Sequence, residues 1–212
     1  MITDMKLNVA IDLRYVENEY SGLSRFSINV FYNLLNLSNE EDINYIVLLP
    51  PKNVVRDSEI LSQFNSSKIN KIFSKRKRGL KWKIPFFLID ISLYIKLKKA
   101  NIDFFISPYI DPPILPGIKV ISTIHDLIFI RVNNYFNNFR FIKKFLSELR
   151  ILLTLVSSYH LLTVSKTSKN ILINRYKFLP FLNQKLNNIT IIYNGITKFE
   201  NKNQNYNYNK IF

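Results

Sequence analysis

Short runs rich in apolar residues alternate with longer amphipathic runs along this chain, and no other feature constrains its fold as strongly. A short apolar run predicts a strand that is buried on both faces. Apolar residues that recur every three or four positions predict a helix with one buried face. Strands and helices in alternation form a parallel sheet with helices on both sides. We therefore expect an α/β fold built on a doubly wound parallel sheet.

The predicted elements follow from this alternation. Strands are expected at residues 7–13, 45–49, 69–73, 104–106, 119–124, 161–164 and 189–193. Helices are expected at residues 23–37, 81–98, 141–156 and 167–176. The helix at 141–156 has an apolar face made of Ile142, Phe145, Leu146, Leu149, Leu153 and Val156. Right-handed crossovers between the strands place a binding crevice at the carboxyl ends of the strands.

Composition excludes several other kinds of protein. Apolar residues make up 47% of the 212 residues, so the chain buries enough surface to fold, and its length suits one large domain. It has no cysteine, which excludes disulfides, thiolate metal sites and a cysteine nucleophile. With only two histidines, we expect no metal site. The N-terminus lacks the apolar region of a signal peptide, and no apolar run is long enough to span a membrane, so we expect a cytoplasmic protein.

Polar residues follow four of the predicted strands, where the crevice of a parallel sheet lies. Gly22 follows Ser21 at the start of the first helix, where free N–H groups and the helix dipole favour an anion such as phosphate. The alternative is that Gly22 serves a tight turn and Ser21 caps the helix. His125 and Asp126 directly follow strand 119–124, and an imidazole beside a carboxylate acts as a base or as an oriented hydrogen-bond donor. The alternative is a structural histidine bonded to the backbone.

Further residues belong with these. Ser165 or Thr167 is expected to cap the helix at 167–176, which leaves more N–H groups at the crevice, although capping alone also explains these residues. Asn194 and Gly195 follow the last strand and predict a turn into a linker. His160 lies in an apolar run that enters a strand, so we expect this second histidine to be structural.

The order of these residues resembles the N-terminal half of the family 4 glycosyltransferases of the GT-B fold, a group that includes many mannosyltransferases. The resemblance covers residues 7–199. Two positions depart from the family pattern, because Ser24 stands where the family has a second glycine and Ser107 where it has a histidine. The matching motifs are Asp12-Leu13-Arg14, Ser21-Gly22-Leu23-Ser24-Arg25-Phe26, Asp103-Phe104-Phe105-Ile106-Ser107-Pro108, Thr123-Ile124-His125-Asp126-Leu127, Thr163-Val164-Ser165-Lys166-Thr167-Ser168-Lys169 and Tyr193-Asn194-Gly195-Ile196.

The resemblance implies two Rossmann-like domains that face a cleft, of which the first binds the acceptor and the second the nucleotide sugar. It implies transfer of a hexose, with retention of configuration, to a polysaccharide or a lipid-linked glycan. No metal or cofactor is implied, and the co-substrate would be GDP-mannose or a UDP-sugar. The resemblance assigns the chemistry at the transferred sugar to His125 and Asp126. It places Gly22 near the donor diphosphate and has Asn194 and Gly195 lead into the interdomain linker. We expect the donor site in this half to comprise Gly22, Ser24, Ser165, Asn194 and Gly195.

We expect residues 1–199 to form this N-terminal domain, and residues 200–212 to be an Asn-rich linker toward a donor-binding C-terminal domain. The donor-binding lysine and paired carboxylates of that second domain have no counterpart in the chain. We therefore expect little or no transferase activity without a separate C-terminal half, which would stabilise the leaving nucleotide. The alternative is a catalytically inactive Rossmann-like binding module or a gene remnant.

The chain is strongly basic, with 30 Lys and Arg against 15 Asp and Glu and a net charge of +15. Aromatic residues at positions 82, 86 and 87 lie beside its densest cationic cluster, a combination that suits an anionic membrane surface. We expect peripheral association with the inner membrane face, the alternative being a solvated loop and helix face. The sequence contains no recognisable nucleic-acid-binding module, so we expect no nucleic-acid partner. The cluster comprises Lys75, Arg76, Lys77, Arg78, Lys81 and Lys83.

Overall fold

The computed structural model describes residues 6–14, 16, 21–37, 43–50, 69–73, 91–110, 112–131 and 140–194. Seven strands occur in these residues: β1 (Leu7–Asp12), β2 (Ile43–Leu49), β3 (Ile69–Phe73), β4 (Phe104–Ser107), β5 (Lys119–Ile124), β6 (His160–Thr163) and β7 (Thr190–Ile191). The helices are α1 (Gly22–Leu37), α2 (Ile91–Lys99), α3 (Ile128–Arg131), α4 (Arg140–Ser157), α5 (Lys166–Tyr176) and α6 (Asn183–Asn187), with a 3₁₀ turn at Pro180–Leu182 before α6.

All seven strands are parallel and form one sheet in the order β3-β2-β1-β4-β5-β6-β7. The strand order grows in one direction from β1 to β3 and in the other direction from β4 to β7. The boundary between β1 and β4 is therefore the topological switch point, outside whose carboxyl ends ligands bind in sheets of this kind. The predicted α/β, doubly wound, Rossmann-like sheet is confirmed.

Successive residues of β1 pack on opposite faces of this sheet. Val9 and Ile11 pack with Phe31 of α1 in one apolar cluster, whereas Ala10 packs with Leu97 of α2 in another. This alternation is what a strand buried on both sides requires, since side chains point to opposite faces in turn. A third cluster joins α4, α5 and α6 to β6 and comprises Ile124, Leu127, Ile151, Leu155, Leu161, Leu172, Tyr176, Leu182, Leu186 and Ile189.

The sequence pattern located most elements but not all of their bounds. β3 and β5 have the predicted limits, and α1 begins one residue before its predicted start, at Gly22. β7 is shorter than predicted and has only two residues. The short α3 and the elements at residues 180–187 were not predicted, because segments of three to five residues are too short to show a period. Residues 81–90 of the second predicted helix lie outside the described residues.

The apolar face predicted for α4 is present, but it does not form the core. Ile142, Phe145 and Val156 of that face are exposed. Ser147, Ile151, Thr154 and Leu155, on another side of the helix, are the buried residues. Within the part of the chain that the structure describes, no helix is both long and apolar enough to cross a membrane.

Candidate functional site

The carboxyl edge of the sheet gathers most of the residues singled out in the sequence. His125 directly follows β5, Ser165 lies two residues after β6, and Asn194 lies three residues after β7. Gly22 starts α1, which follows β1. Because the strands are parallel, all four of these residues lie at one edge of the sheet. Gly195 lies outside the described residues.

His125 is held by contacts from three separate parts of the chain. Its Nε2 lies 2.7 Å from the carbonyl oxygen of Pro108, which follows β4. Its ring packs edge to face with the ring of Phe26 in α1. The ring centroids are 4.4 Å apart and the angle between the ring planes is 85°. The Ser168 hydroxyl in α5 donates to the main-chain oxygen of His125 at 3.2 Å. The imidazole therefore sits at the meeting point of the β4 and β5 loops, α1 and α5.

The contact with Pro108 defines which imidazole nitrogen donates a hydrogen bond and which one accepts. A carbonyl oxygen only accepts hydrogen bonds, so Nε2 carries a proton and donates to Pro108. In the neutral ring, Nδ1 is then the acceptor, and it has no hydrogen-bond partner among the residues that the structure describes. Neutral His125 is thus an oriented ring whose free nitrogen accepts a hydrogen bond.

Burial lowers the pKa of His125 below its ordinary value of 6.5, because it disfavours the charged imidazolium. The bond to Pro108 and the charge of Asp126 act in the opposite direction and are the smaller causes. The ring is therefore neutral at pH 7. In this form it serves as a hydrogen-bond acceptor or as a general base.

We expect an NMR titration of the His125 imidazole to give a pKa below 6.5. Between that folded-state pKa and 6.5 the unfolded chain binds more protons than the folded one, so this group makes the free energy of unfolding rise with pH across the window. Above the window its contribution is constant. The free energy of unfolding of the His125→Ala variant should lack this dependence on pH. The difference between the wild-type and variant curves then gives the contribution of His125. A folded-state pKa above 6.5 would contradict the assignment.

Asp126 is placed differently from its neighbour. Its side chain is exposed, and Oδ1 accepts a long bond of 3.5 Å from the Ile128 N–H at the start of α3. The structure shows no hydrogen bond between this carboxylate and the His125 ring. Its effect on the imidazole is through charge alone, and that effect is weaker than that of burial. Asp126 therefore does not orient the His125 ring. The Pro108 carbonyl orients it through the hydrogen bond from Nε2.

The N-terminus of α1 combines a serine cap with open space. The Ser21 Oγ accepts from the Ser24 N–H at 3.0 Å and donates to the Ser24 Oγ at 2.6 Å, so the two side chains cap the first turn together. Ser24 is buried, and its hydroxyl is used within the cap. A Cβ added at Gly22 would meet nothing within 4 Å. Space for a ligand thus lies at Gly22, whereas the Ser24 side chain points into the protein.

Ser165, and not Thr167, is the one of the two predicted candidates that caps α5. Its Oγ accepts from the Ser168 N–H at 3.1 Å, and the two hydroxyls are 3.0 Å apart. Because Ser168 also donates to the main chain of His125, this cap fixes the position of α5 against the β5 loop. Ser168, Pro108 and Phe26 lie within motifs of the resemblance, but the sequence predicted no role in the site for any of them.

Asn194 lies farther from His125 than the other three. β7 is two strands away from β5, a separation of about 10 Å at the usual strand spacing. The Ile192 N–H donates to the Thr163 carbonyl at 2.7 Å, which continues the pairing with β6 just past β7. Asn194 itself is exposed at the rim. The structure therefore brings Gly22, His125 and Ser165 into one connected region and leaves Asn194 at its border.

The first motif at this edge has a clear structural role. Asp12 is fully buried, and the Arg14 guanidinium donates to both oxygens of its carboxylate. Nε lies 2.8 Å from Oδ1 and Nη2 lies 2.6 Å from Oδ2. The Arg14 N–H adds a bond of 3.2 Å. Such a bidentate pair fixes the loop that leaves β1 next to the switch point. This ion pair holds the backbone at Arg14 directly after β1.

The chemistry available at the edge is that of hydrogen bonds and a helix terminus. Among residues 6–194 where the structure describes them, no group of three or more His, Cys, Asp or Glu could hold a metal ion. The described polar groups include a neutral imidazole whose Nδ1 is able to accept, the first turn of α1 beside open space, and the serine cap of α5. These groups suit a ligand with hydroxyls and a phosphate.

Comparison with known proteins adds no family to these observations. No protein-family model matches the chain, and a search of the curated proteins found no match.

Proposed function

We propose that this chain supplies the acceptor-side, Rossmann-like domain of a retaining, GT-B-type glycosyltransferase. Its reaction would transfer a hexose from a nucleotide sugar, such as GDP-mannose or a UDP-sugar, to a polysaccharide or a lipid-linked glycan. The observation that carries the proposal is the setting of His125, whose ring is fixed by Pro108 at the switch-point side of the sheet, beside the open N-terminus of α1. The motif order along residues 7–199 supports it from the sequence.

In this proposal each group has a defined task. The N–H groups in the first turn of α1, at Gly22, bind the donor diphosphate, where the helix dipole stabilises negative charge. The free Nδ1 of His125 accepts a hydrogen bond from a hydroxyl of the transferred sugar and so orients its reactive carbon. Burial keeps the ring neutral for this task. Ser165 and Ser168 hold α5 against the site and act as positioning residues.

Transfer also needs a donor-binding domain. The developing charge on the leaving nucleoside diphosphate must be stabilised electrostatically, and by the resemblance a lysine and paired carboxylates of a C-terminal domain take part in that site. Residues 1–212 contain no counterpart of that set. The proposal therefore assigns transfer to this domain acting together with a donor-binding half, supplied as a separate chain or as a further domain.

Binding of nucleotide sugars to this domain tests the proposal. We expect GDP-mannose or UDP-glucose, added at millimolar concentration, to shift the NMR signals of the Gly22 amide and the His125 imidazole. His160 is the internal control, because it begins β6 at the opposite edge of the sheet and its Nε2 lies 2.9 Å from Thr190 Oγ1. Shifts at His160 with none at Gly22 or His125 would contradict the proposal. The absence of any shift would favour a catalytically inactive binding module.

Peripheral membrane association belongs to the same proposal. A lipid-linked acceptor lies at a membrane, and the cationic cluster of the sequence analysis offers charges for an anionic surface. That cluster falls within residues 75–83, outside the described residues. Its contribution is measured by exchanging its six Lys and Arg residues for Gln and comparing vesicle co-sedimentation at low salt.

A further inference from the structure

The side of α4 that faces away from the sheet is apolar and exposed. Phe141 is 85% exposed and Phe145 is 67% exposed, and Ile142 and Val156 are exposed as well. Residues 141–156 extend about 22 Å along the helix at its usual rise. We call this surface the outer face of α4. The helix is attached to the sheet through a different set of residues, Ser147, Ile151, Thr154 and Leu155.

An apolar surface of this kind on one helix needs a partner. Bulky aromatic and aliphatic side chains at the positions of the outer face cost free energy when they stay in water, and contiguous exposed patches mark interaction sites. The face is the convex side of a single helix rather than a groove between elements. This shape suits a helix that lies flat in a membrane interface, with its apolar side toward the acyl chains.

The charge of the chain distinguishes between two partners that would cover the outer face of α4, a second copy of the chain and an anionic surface. α4 contains four basic residues and one acidic residue. The acidic residue, Glu148, is neutralised by Arg175 of α5, whose Nη2 lies 2.7 Å from both carboxylate oxygens. A second copy of the chain would bring the same cationic helix and another net charge of +15, so the two copies repel each other. An anionic surface is complementary to the helix.

We propose that the outer face of α4 docks the protein on an anionic lipid surface. Phe141, Phe145 and Val156 enter the boundary between headgroups and acyl chains, and the net positive charge of the chain favours lipid phosphates. The inference rests on the membrane association included in the proposed function, but lipid binding requires neither a nucleotide sugar nor His125, so the tests of docking and of transfer fail separately. It assigns membrane contact to a helix distinct from the cationic cluster at residues 75–83.

Co-sedimentation of the full chain with vesicles tests this inference. We expect the wild type to bind phosphatidylcholine vesicles that contain phosphatidylglycerol, and to bind pure phosphatidylcholine weakly. The double variant Phe141→Ser/Phe145→Ser should lose at least about tenfold in binding to the anionic vesicles, since two exposed aromatic side chains no longer insert. Its thermal midpoint should match that of the wild type, because both residues are exposed.

The matched control is Phe178→Ser/Phe181→Ser, which removes two equally exposed phenylalanines that lie outside α4. This control should change vesicle binding less than about twofold. Three results would overturn the inference: no binding of the wild type at low salt, equal loss in the control, or a dimer seen by light scattering that only the α4 variant abolishes. The last result would identify a second copy of the chain as the partner.

Discussion

Replacing Phe105 with alanine should lower the free energy of unfolding by about 3–5 kcal/mol. Phe105 is fully buried in β4, between β1 and β5, and packs in the cluster that also contains Ala10 and Leu97. Truncation removes apolar surface and leaves a cavity that the neighbouring strands of a central sheet cannot close. Urea denaturation followed by circular dichroism gives the difference, provided that the slope with denaturant is unchanged.

The control for this prediction is Phe181→Ala in the 3₁₀ turn before α6. The Phe181 side chain is exposed, so its loss should cost less than about 1 kcal/mol. Equal destabilisation by the two substitutions would contradict the described core. It would mean that β4 does not lie at the centre of the sheet.

Replacing Arg14 with methionine should cost about 3 kcal/mol of stability, since it leaves the Asp12 carboxylate buried with its main charge partner removed. Methionine keeps most of the apolar stem of the arginine, so the effect reports the charge and the hydrogen bonds. The loss should be measured by the same urea denaturation at pH 7. We also expect the loop that leaves β1 to lose amide-exchange protection.

The chain offers a matched pair for comparison. Arg175 also contacts both oxygens of a carboxylate, that of Glu148, but the two side chains are 45% and 25% exposed. Exposed pairs contribute about 0–1 kcal/mol, so Arg175→Met should be nearly neutral. If Arg14→Met were equally mild, the buried ion pair would not fix the loop that leaves β1.

The architecture was predictable because the pattern that identifies each strand involves only residues that are close together in the sequence. The alternation in β1, with Val9 on one face and Ala10 on the other, requires helices on both sides of a parallel sheet. The capping of α1 by Ser21 was also predictable, and for α5 the sequence left Ser165 and Thr167 as the two candidates. These features depend only on neighbours in sequence.

The details of the candidate site were not predictable, because they depend on contacts between distant segments. The bond from His125 to Pro108 spans 17 positions, and the bond from Ser168 to His125 spans 43. Nothing local distinguishes the Pro108 carbonyl from any other. The orientation of α4 was not predictable either. A strong apolar stripe ordinarily marks the buried side of a helix, but Phe145 of this stripe is exposed.

Transfer of a labelled hexose tests the central claim most directly. The measurement uses the chain together with a donor-binding half, a panel of labelled nucleotide sugars, and polysaccharide or lipid-linked acceptors. The account predicts transfer that falls by about 100-fold or more in His125→Ala and is unchanged in His160→Ala, whose imidazole lies at the opposite edge of the sheet. Transfer that His125→Ala leaves intact, or no transfer from any nucleotide sugar, would contradict it.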